Sequence, residues 1–299
     1  MTEGIADEYQ TVFSYCFGNK ETINIEGRVI EVRNESIPKP SDNWLVNSYR
    51  KLRQLINDEK KYTSVILTIN NHAFGTKTGE EGFFNLSLPK PADLQPGFHT
   101  TYSNIGKGQT NQCQLLIVSP ENTIGIISDF DDTVIITDVL DKQQAISNTM
   151  ILNYKQREVV PGMASWYREI LSANSKPKFA ALFFVTGSPK QLQKGINQFL
   201  DYHQFPTRTI FTKKLNGKNS DPLLNQFKYK MQKIETILAM YPTMNFVLIG
   251  DDGERDPEVY HAIYERMPLR VIDTWIRPVD PSTERKRYPE QKLLNDRLK

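Results

Sequence analysis

The sequence predicts an α/β protein, a parallel five-stranded sheet between helices preceded by a small β-sandwich. Three observations carry this. From residue 121 to 299, short apolar runs alternate with helical patterns. Residues 1–120 instead show half-buried alternating segments punctuated by glycine-rich turns. The length, 299 residues, suits two domains of ordinary size.

In the first part, Ile23–Ile30 and Val65–Ile69 alternate as strands do, and Phe83–Leu88 reads as another. The run Gly75–Gly82 supplies turn chemistry between them, the pattern of a sandwich. Trp44, Leu45, Tyr49, Leu52, Leu55 and Ile56 share one helical face, which predicts a helical insertion over 42–57. Residues 104–109 read as a loop. In the second part, Ile124–Ile127, Phe179–Val185, Thr209–Phe211 and Phe246–Ile249 read as short apolar strands, and Leu269–Ile272 begins a fifth. A parallel sheet covered on both faces needs such strands. Helical patterns lie between them at Met163–Leu171, Lys190–Tyr202, Phe227–Met240 and Pro257–Met267. Ser188-Pro189 and Asp256-Pro257 read as helix starts, an N-cap before a proline. The tail, with Arg285-Lys286-Arg287 and Lys292, reads as exposed.

Composition narrows the function. Hydrophobic residues are 38% and charged residues 24%, a globular profile, and a formal charge of +2 gives no electrostatic case for nucleic acid. The first residues lack a signal-peptide pattern, and no apolar run is long enough to span a bilayer. Cys16 and Cys113 form no CxxC and exclude a zinc cluster or a disulfide framework. They read as packing residues of a reducing, cytoplasmic compartment, with a single bridge left open. His72, His99, His203 and His261 match no ligand spacing. Trp44, Trp166 and Trp275 read as core or half-core aromatics; Arg157 can approach the site but reads first as a surface arginine.

Ligands of open parallel sheets bind beyond the carboxyl ends of the strands. The residues just past each strand are therefore informative. The first strand leads into Asp129-Phe130-Asp131-Asp132-Thr133, the second into Thr186-Gly187-Ser188, the fourth into Gly250-Asp251-Asp252-Gly253-Glu254-Arg255-Asp256. Crowded carboxylates stay ionised beside a hard cation, and oxygen ligands suit Mg²⁺. One carboxylate can attack phosphorus, and a second, two positions on, can move the proton. Hydroxyl and N–H groups at Thr186-Gly187-Ser188 can hold phosphate oxygens, although Ser188 also suits a helix cap.

These residues resemble the haloacid dehalogenase superfamily, in its DxDx(T/V) phosphatase branch. Within it, the chain resembles bacterial relatives of the actin-patch phosphatidate phosphatase family. Val160-Pro161-Gly162-Met163, Tyr241-Pro242 and Phe246–Asp251 followed by Asp256-Pro257-Glu258 belong to that framework, as does Ile25-Glu26-Gly27-Arg28 in the N-terminal part. The resemblance implies a Rossmann-like catalytic domain over 121–299 behind the β domain of 1–120. It implies that Asp129 is the nucleophile and Asp131 the general acid/base. Thr133, Thr186, Gly187, Ser188 and Lys230 would bind the phosphate, with Lys228 and Lys233 competing for the lysine's place. Asp129, Asp131 (through its carbonyl) and Asp251 would hold Mg²⁺, with Asp252 or Asp256 assisting. The expected activity is Mg²⁺-dependent hydrolysis of phosphatidate, by a protein peripheral to a membrane. A phosphatase of soluble phosphomonoesters or phosphoproteins and a non-catalytic lipid- or protein-binding adaptor are the alternatives. The oligomeric state is not legible.

Overall fold

The structure is a computed structural model and describes residues 9–32, 59–106, 110–136, 154–213, 222–279 and 286–298. The chain divides into two compact units that meet in sequence at Pro120 and Glu121. The helix expected over 42–57 lies outside the described residues.

The first unit holds β1 (Tyr9–Gly18), β2 (Thr22–Glu31), β3 (Ser64–Ile69), β4 (His72–Lys77), β5 (Phe83–Pro89), β6 (Gly97–Asn104) and β7 (Asn111–Ile117). They form one sheet in the order β4-β3-β6-β7-β1-β2-β5, in place of the two packed sheets of a sandwich. Neighbours are antiparallel except β1 and β7. Inward residues from strands near both edges, among them Ile23, Ile25, Val65, Leu67, Phe84 and Leu115, share one core. One sheet can close a core in this way only by curling, and β4 comes up against β5. Cys16 on β1 and Cys113 on β7 are joined by a disulfide, with Cα atoms 6.9 Å apart. The single bridge that the sequence leaves open is formed, and both residues also pack at the core. The two positions are 97 residues apart and meet only because β1 and β7 are neighbours.

The second unit is α/β. Its strands are β8 (Ile124–Ser128), β9 (Ile135–Ile136), β10 (Glu158–Val159), β11 (Leu182–Pro189), β12 (Thr209–Lys213), β13 (Asn245–Asp251), β14 (Val271–Arg277) and β15 (Gln291–Leu293). Its helices are α1 (Met163–Ser172), α2 (Gln193–Tyr202), α3 (Pro222–Met240) and α4 (Asp256–Arg266). The main sheet runs β12-β11-β8-β13-β14-β15, parallel throughout. It has six strands, not five. The sixth comes from the tail that the sequence reads as exposed: Leu294, just past β15, is fully buried, while Lys292 points out to Asp273. The order reverses between β8 and β13, the topological switch point where a crevice opens at the strands' carboxyl ends.

Two details set that crevice. Phe130, next to Asp129, is fully buried edge-on against Phe184 and Phe199. Burying such a side chain is worth about 1.5–3 kcal/mol, which pins the loop after β8 to the core. The two-stranded ribbon of β9 and β10 then carries the chain away from it. Ser188 is not a helix cap: β11 runs on to Pro189, and α2 begins only at Gln193. Asp256 likewise opens α4 itself, and its carboxylate turns into the crevice instead of capping the helix.

Candidate active site

The loop after β8 brings Asp129 to the switch point. Its N–H donates to the Ile249 carbonyl at 2.8 Å, extending the β8–β13 ladder by one residue and fixing the Asp129 main chain beside the end of β13. Asp251 ends β13. Asp256 reaches back from α4 over Gly250, where a Cβ would stand 2.6 Å from the Asp256 carboxylate. Gly250 is thus the residue that lets this acid in. One carboxylate oxygen from each of Asp129, Asp251 and Asp256 lies within 4.8 Å of the others, and all three residues are buried. These three aspartates could hold a metal ion. Neither Asp129 oxygen accepts a hydrogen bond among the described residues. Lys230 is a single cation beside three buried carboxylates, so a further cation would offset the remaining charge, and an all-oxygen donor set fits a hard divalent ion.

Lys230 of α3 is the lysine that the structure brings to the aspartates. Its Nζ lies 3.0 Å from Asp129, 2.5 Å from Asp256 and 3.4 Å from Glu254, and its side chain is 1% exposed. Lys228 is exposed, and Lys233 lies over the rings of Phe211 and Tyr229. Burial works to lower the Lys230 pKa, but Asp129, Asp256 and Glu254 outweigh it and hold it well above the ordinary range. Burial first, then the neighbouring acids, pushes Asp251 well above the ordinary carboxylate range. Burial does the same to Asp129 against the pull of Lys230, and raises Asp256 as well.

Asp131 stands on the other side of the loop. Thr186 and Ser188 donate to its Oδ2 at 2.9 and 2.7 Å, and the Ser188 N–H donates to the Thr186 hydroxyl at 3.0 Å. Burial raises the Asp131 pKa although both hydroxyls and Arg157 draw it down. Gly187 lies between the two hydroxyls, where a Cβ would meet the Gln226 amide at 2.7 Å. Thr133, expected against the substrate, instead donates to Asp251 at 3.1 Å and is fully buried. Asp252 does not join the three buried acids: it accepts the Val279 N–H at 2.8 Å. Of Asp252 and Asp256, it is Asp256 that lies together with Asp129 and Asp251.

Three participants escaped the sequence reading. Glu254 touches Lys230 and Gln226. It lies inside the acidic run after β13, so a closer look at that run would have found it. Arg277 ends β14 and donates to the Asp132 carbonyl, bracing a residue with φ of +53°. Asking what ends the fifth strand would have reached it. Tyr260 donates to the Ile249 carbonyl at 2.9 Å and buttresses β13 from α4. Arg157 interacts electrostatically with Asp131 and Asp132 instead of lying apart on the surface.

Comparison with known proteins covers the same part of the chain. The family described as "Phosphatidate phosphatase APP1, catalytic domain" matches residues 124–278, more than half of the chain. Phosphatidate phosphatase APP1 of Saccharomyces cerevisiae is 28% identical over 180 residues, 60% of this chain and 30% of that protein. An uncharacterized protein of Schizosaccharomyces pombe is 29% identical over 163 residues, 54% of this chain and 26% of its own length. The matched part thus spans less than a third of either relative. Among solved structures, a carbohydrate acetylesterase from Xanthomonas citri aligns with a TM-score of 0.30 at 10% identity, covering 88% of this chain and 66% of that one. A β-glucuronidase from Parabacteroides merdae aligns with a TM-score of 0.24 at 9% identity, covering 90% and 34%. Scores this low bear on neither fold nor function. The family match covers β8 to β14 and so every acid of the crevice: the chain belongs to the phosphatidate phosphatase APP1 catalytic-domain family, a family of phosphoric monoester hydrolases.

Proposed function

We propose that the chain is a Mg²⁺-dependent phosphatidate phosphatase of the haloacid dehalogenase type, working through an aspartyl-phosphate. The observation that carries this is Asp129: a buried carboxylate paired with a buried lysine, accepting no hydrogen bond among the described residues and grouped with two further aspartates.

The Asp129 carboxylate attacks phosphorus, and the bond to the leaving oxygen breaks as Asp131 gives that oxygen its proton. A water, deprotonated by Asp131, then attacks the same phosphorus and releases phosphate, restoring Asp129. The raised pKa of Asp131 suits a group that must hold a proton before giving it. Thr186 and Ser188 both bind Oδ2, which leaves Oδ1 for the proton. Lys230 keeps Asp129 oriented and faces the charge that builds on the transferring phosphoryl group. Thr133 fixes the rotamer of Asp251. Bound by Asp129, Asp251, Asp256 and the Asp131 carbonyl, Mg²⁺ would neutralise the acids and screen the phosphoryl oxygens.

The lipid substrate is supported by the family and by the name of the yeast relative. No helix among the described residues is long and apolar enough to cross a membrane, so a lipid would be met peripherally. The test is phosphate release from phosphatidate in detergent micelles with Mg²⁺, set against lysophosphatidate and a soluble sugar phosphate. Asp129→Asn and Asp131→Asn should each lower the rate by about a thousandfold or more. Turnover of the sugar phosphate alone would remove the lipid substrate and leave the chemistry. Liposome binding by wild type and Asp129→Asn alike, with no turnover of any phosphate, would establish an adaptor instead.

A further inference from the structure

We propose that Gln226 is a substrate-contacting residue, and that Glu254 occupies on Gln226 and Lys230 the place that a phosphoryl oxygen of a phosphate monoester takes. This rests on the phosphatase reading and deepens it.

Gln226 and Lys230 stand four residues apart on α3, one helical turn, so their side chains share a face. Both residues are buried, Gln226 being 8% exposed and Lys230 1%. Their donors converge on a single atom. Gln226 Nε2 and Lys230 Nζ both donate to Oε2 of Glu254, the lysine at 3.4 Å. An amide and an ammonium converging on one anionic oxygen would serve a phosphoryl oxygen in the same way. This seat also lies against the hydroxyl loop. The Gln226 amide packs on Gly187, where a Cβ would stand 2.7 Å from Nε2. Gly187 is flanked by Thr186 and Ser188, whose hydroxyls donate to Asp131. Gln226 therefore links the Asp131 side of the crevice to the Lys230 side.

Charge makes Glu254 the partner that yields. Lys230 donates to Asp256 at 2.5 Å and to Glu254 at 3.4 Å, and it ion-pairs with Asp129 at 3.0 Å. Three acids thus crowd one ammonium, and an arriving phosphate dianion is repelled until one of them withdraws. Asp129 and Asp256 have side chains 1% and 0% exposed, and the Asp256 carboxylate is wedged over Gly250. The Glu254 side chain is 31% exposed, makes the longest of the three contacts and lies between β13 and α4. Returning it to water costs least, because it is the least desolvated of the three. Before substrate binds, Glu254 keeps two buried donors satisfied. As substrate enters, the phosphoryl oxygen takes over both donors and the carboxylate swings out. Glu254 is in this sense an internal competitor for the phosphate.

The test uses the whole protein and inorganic phosphate as the probe, titrated calorimetrically at a Mg²⁺ concentration shown to saturate each variant. Glu254→Gln removes the competing charge and should lower Kd for phosphate about threefold. Gln226→Ala removes a donor and should raise Kd about tenfold, equivalent to ~1.4 kcal/mol. Gln226→Met, which keeps the volume, carries the comparison should the alanine variant fail to fold. In a Glu254→Ala background the loss from Gln226→Met should persist, since the amide then acts on the phosphate itself. In turnover of phosphatidate micelles, KM should fall for Glu254→Gln and rise for Gln226→Met. Unchanged or weaker phosphate binding by Glu254→Gln overturns the proposal and makes Glu254 a brace for Lys230. So does a Gln226 loss that vanishes in the Glu254→Ala background. Neither result touches wild-type turnover, so the phosphatase reading would survive both. If wild type and variants bind phosphate as expected but wild type cleaves no phosphatidate, the lipid substrate falls and this assignment stands. Absence of phosphate binding in wild type and Glu254→Gln alike would remove both.

Discussion

Asp129, Asp131, Asp251 and Asp256 are all buried in one crevice, and burial is the largest influence raising each carboxyl pKa. The linkage has a definite sign. Unfolded aspartates release their protons near pH 3.9, while the folded ones hold them to higher pH. Above about pH 4 the folded state therefore binds more protons, and stability falls as pH rises. A divalent cation takes the protons' place and removes the penalty. In EDTA, the melting temperature of the α/β unit should fall from about pH 5 to about pH 7.5; at the upper pH, Mg²⁺ at a hundred times its Kd should restore about 2.7 kcal/mol. Calorimetry with and without Mg²⁺ decides it, and a melting temperature at pH 7.5 indifferent to Mg²⁺ would remove the metal assignment. At this scale the sequence was readable wherever a residue's place follows from the end of a strand, as for Asp129, Asp131 and Asp251. Lys230 was reachable only through the family pattern, because a lysine on a helix resembles every other lysine there. The surroundings of Thr133 and Arg157 were not legible, because they depend on where the side chain points. Thr133 turns to an acid 118 residues away, and the charge of Arg157 acts on Asp131 from the residue just before β10.

Elements are placed by polar clamps that a hydrophobic pattern does not reveal. Asn174, just past α1, accepts the N–H groups of Thr123 and Ile124 and donates to the carbonyls of Ile124 and Leu171. Asn122 donates to the carbonyls of Lys176 and Phe179 and accepts the Lys176 N–H. Together they fix the entry to β8, whose far end carries Asp129. A sequence reader sees asparagines in turns. The structure shows buried amides with nearly every hydrogen-bonding group used. Asn174→Ala strands main-chain donors and acceptors that water reaches poorly, and should cost about 2–4 kcal/mol in urea unfolding. Asn174→Asp keeps the two accepted bonds but loses both donors, so it should not rescue the fold. A loss within 0.5 kcal/mol for the alanine variant would show that β8 is held by its ladder alone. The long apolar strands and α1 were read within a few residues of their true limits, since burial on both faces writes itself as a run. The ribbon β9–β10 and strand β15 were not, because two or three residues carry no period and their pairing depends on distant partners.

At the scale of the whole molecule, the Cys16–Cys113 bridge separates two accounts of where the protein works. Cysteines in a reducing compartment remain thiols, and a bridge persists in an oxidising one. Both cysteines, and the core that they border, belong to the β unit. Closing a loop of roughly 100 residues restricts the unfolded chain, an effect typically worth about 2–4 kcal/mol. The consequence is local: reduction should loosen β1 and β7 and leave β8 and β13, with their aspartates, as protected as before. Hydrogen exchange followed by mass spectrometry, with and without dithiothreitol, reads both regions in one experiment. Thiol titration of the protein denatured without reductant should find no free cysteine. Cys16→Ser should match the reduced protein in the β unit, and its Mg²⁺ affinity should equal that of the wild type. Two free thiols in protein purified under non-reducing conditions would restore the reducing compartment that the sequence first suggested. Loss of protection in β8 or β13 on reduction would mean instead that the bridge supports the catalytic unit as well, so that redox state would act on the phosphatase site itself.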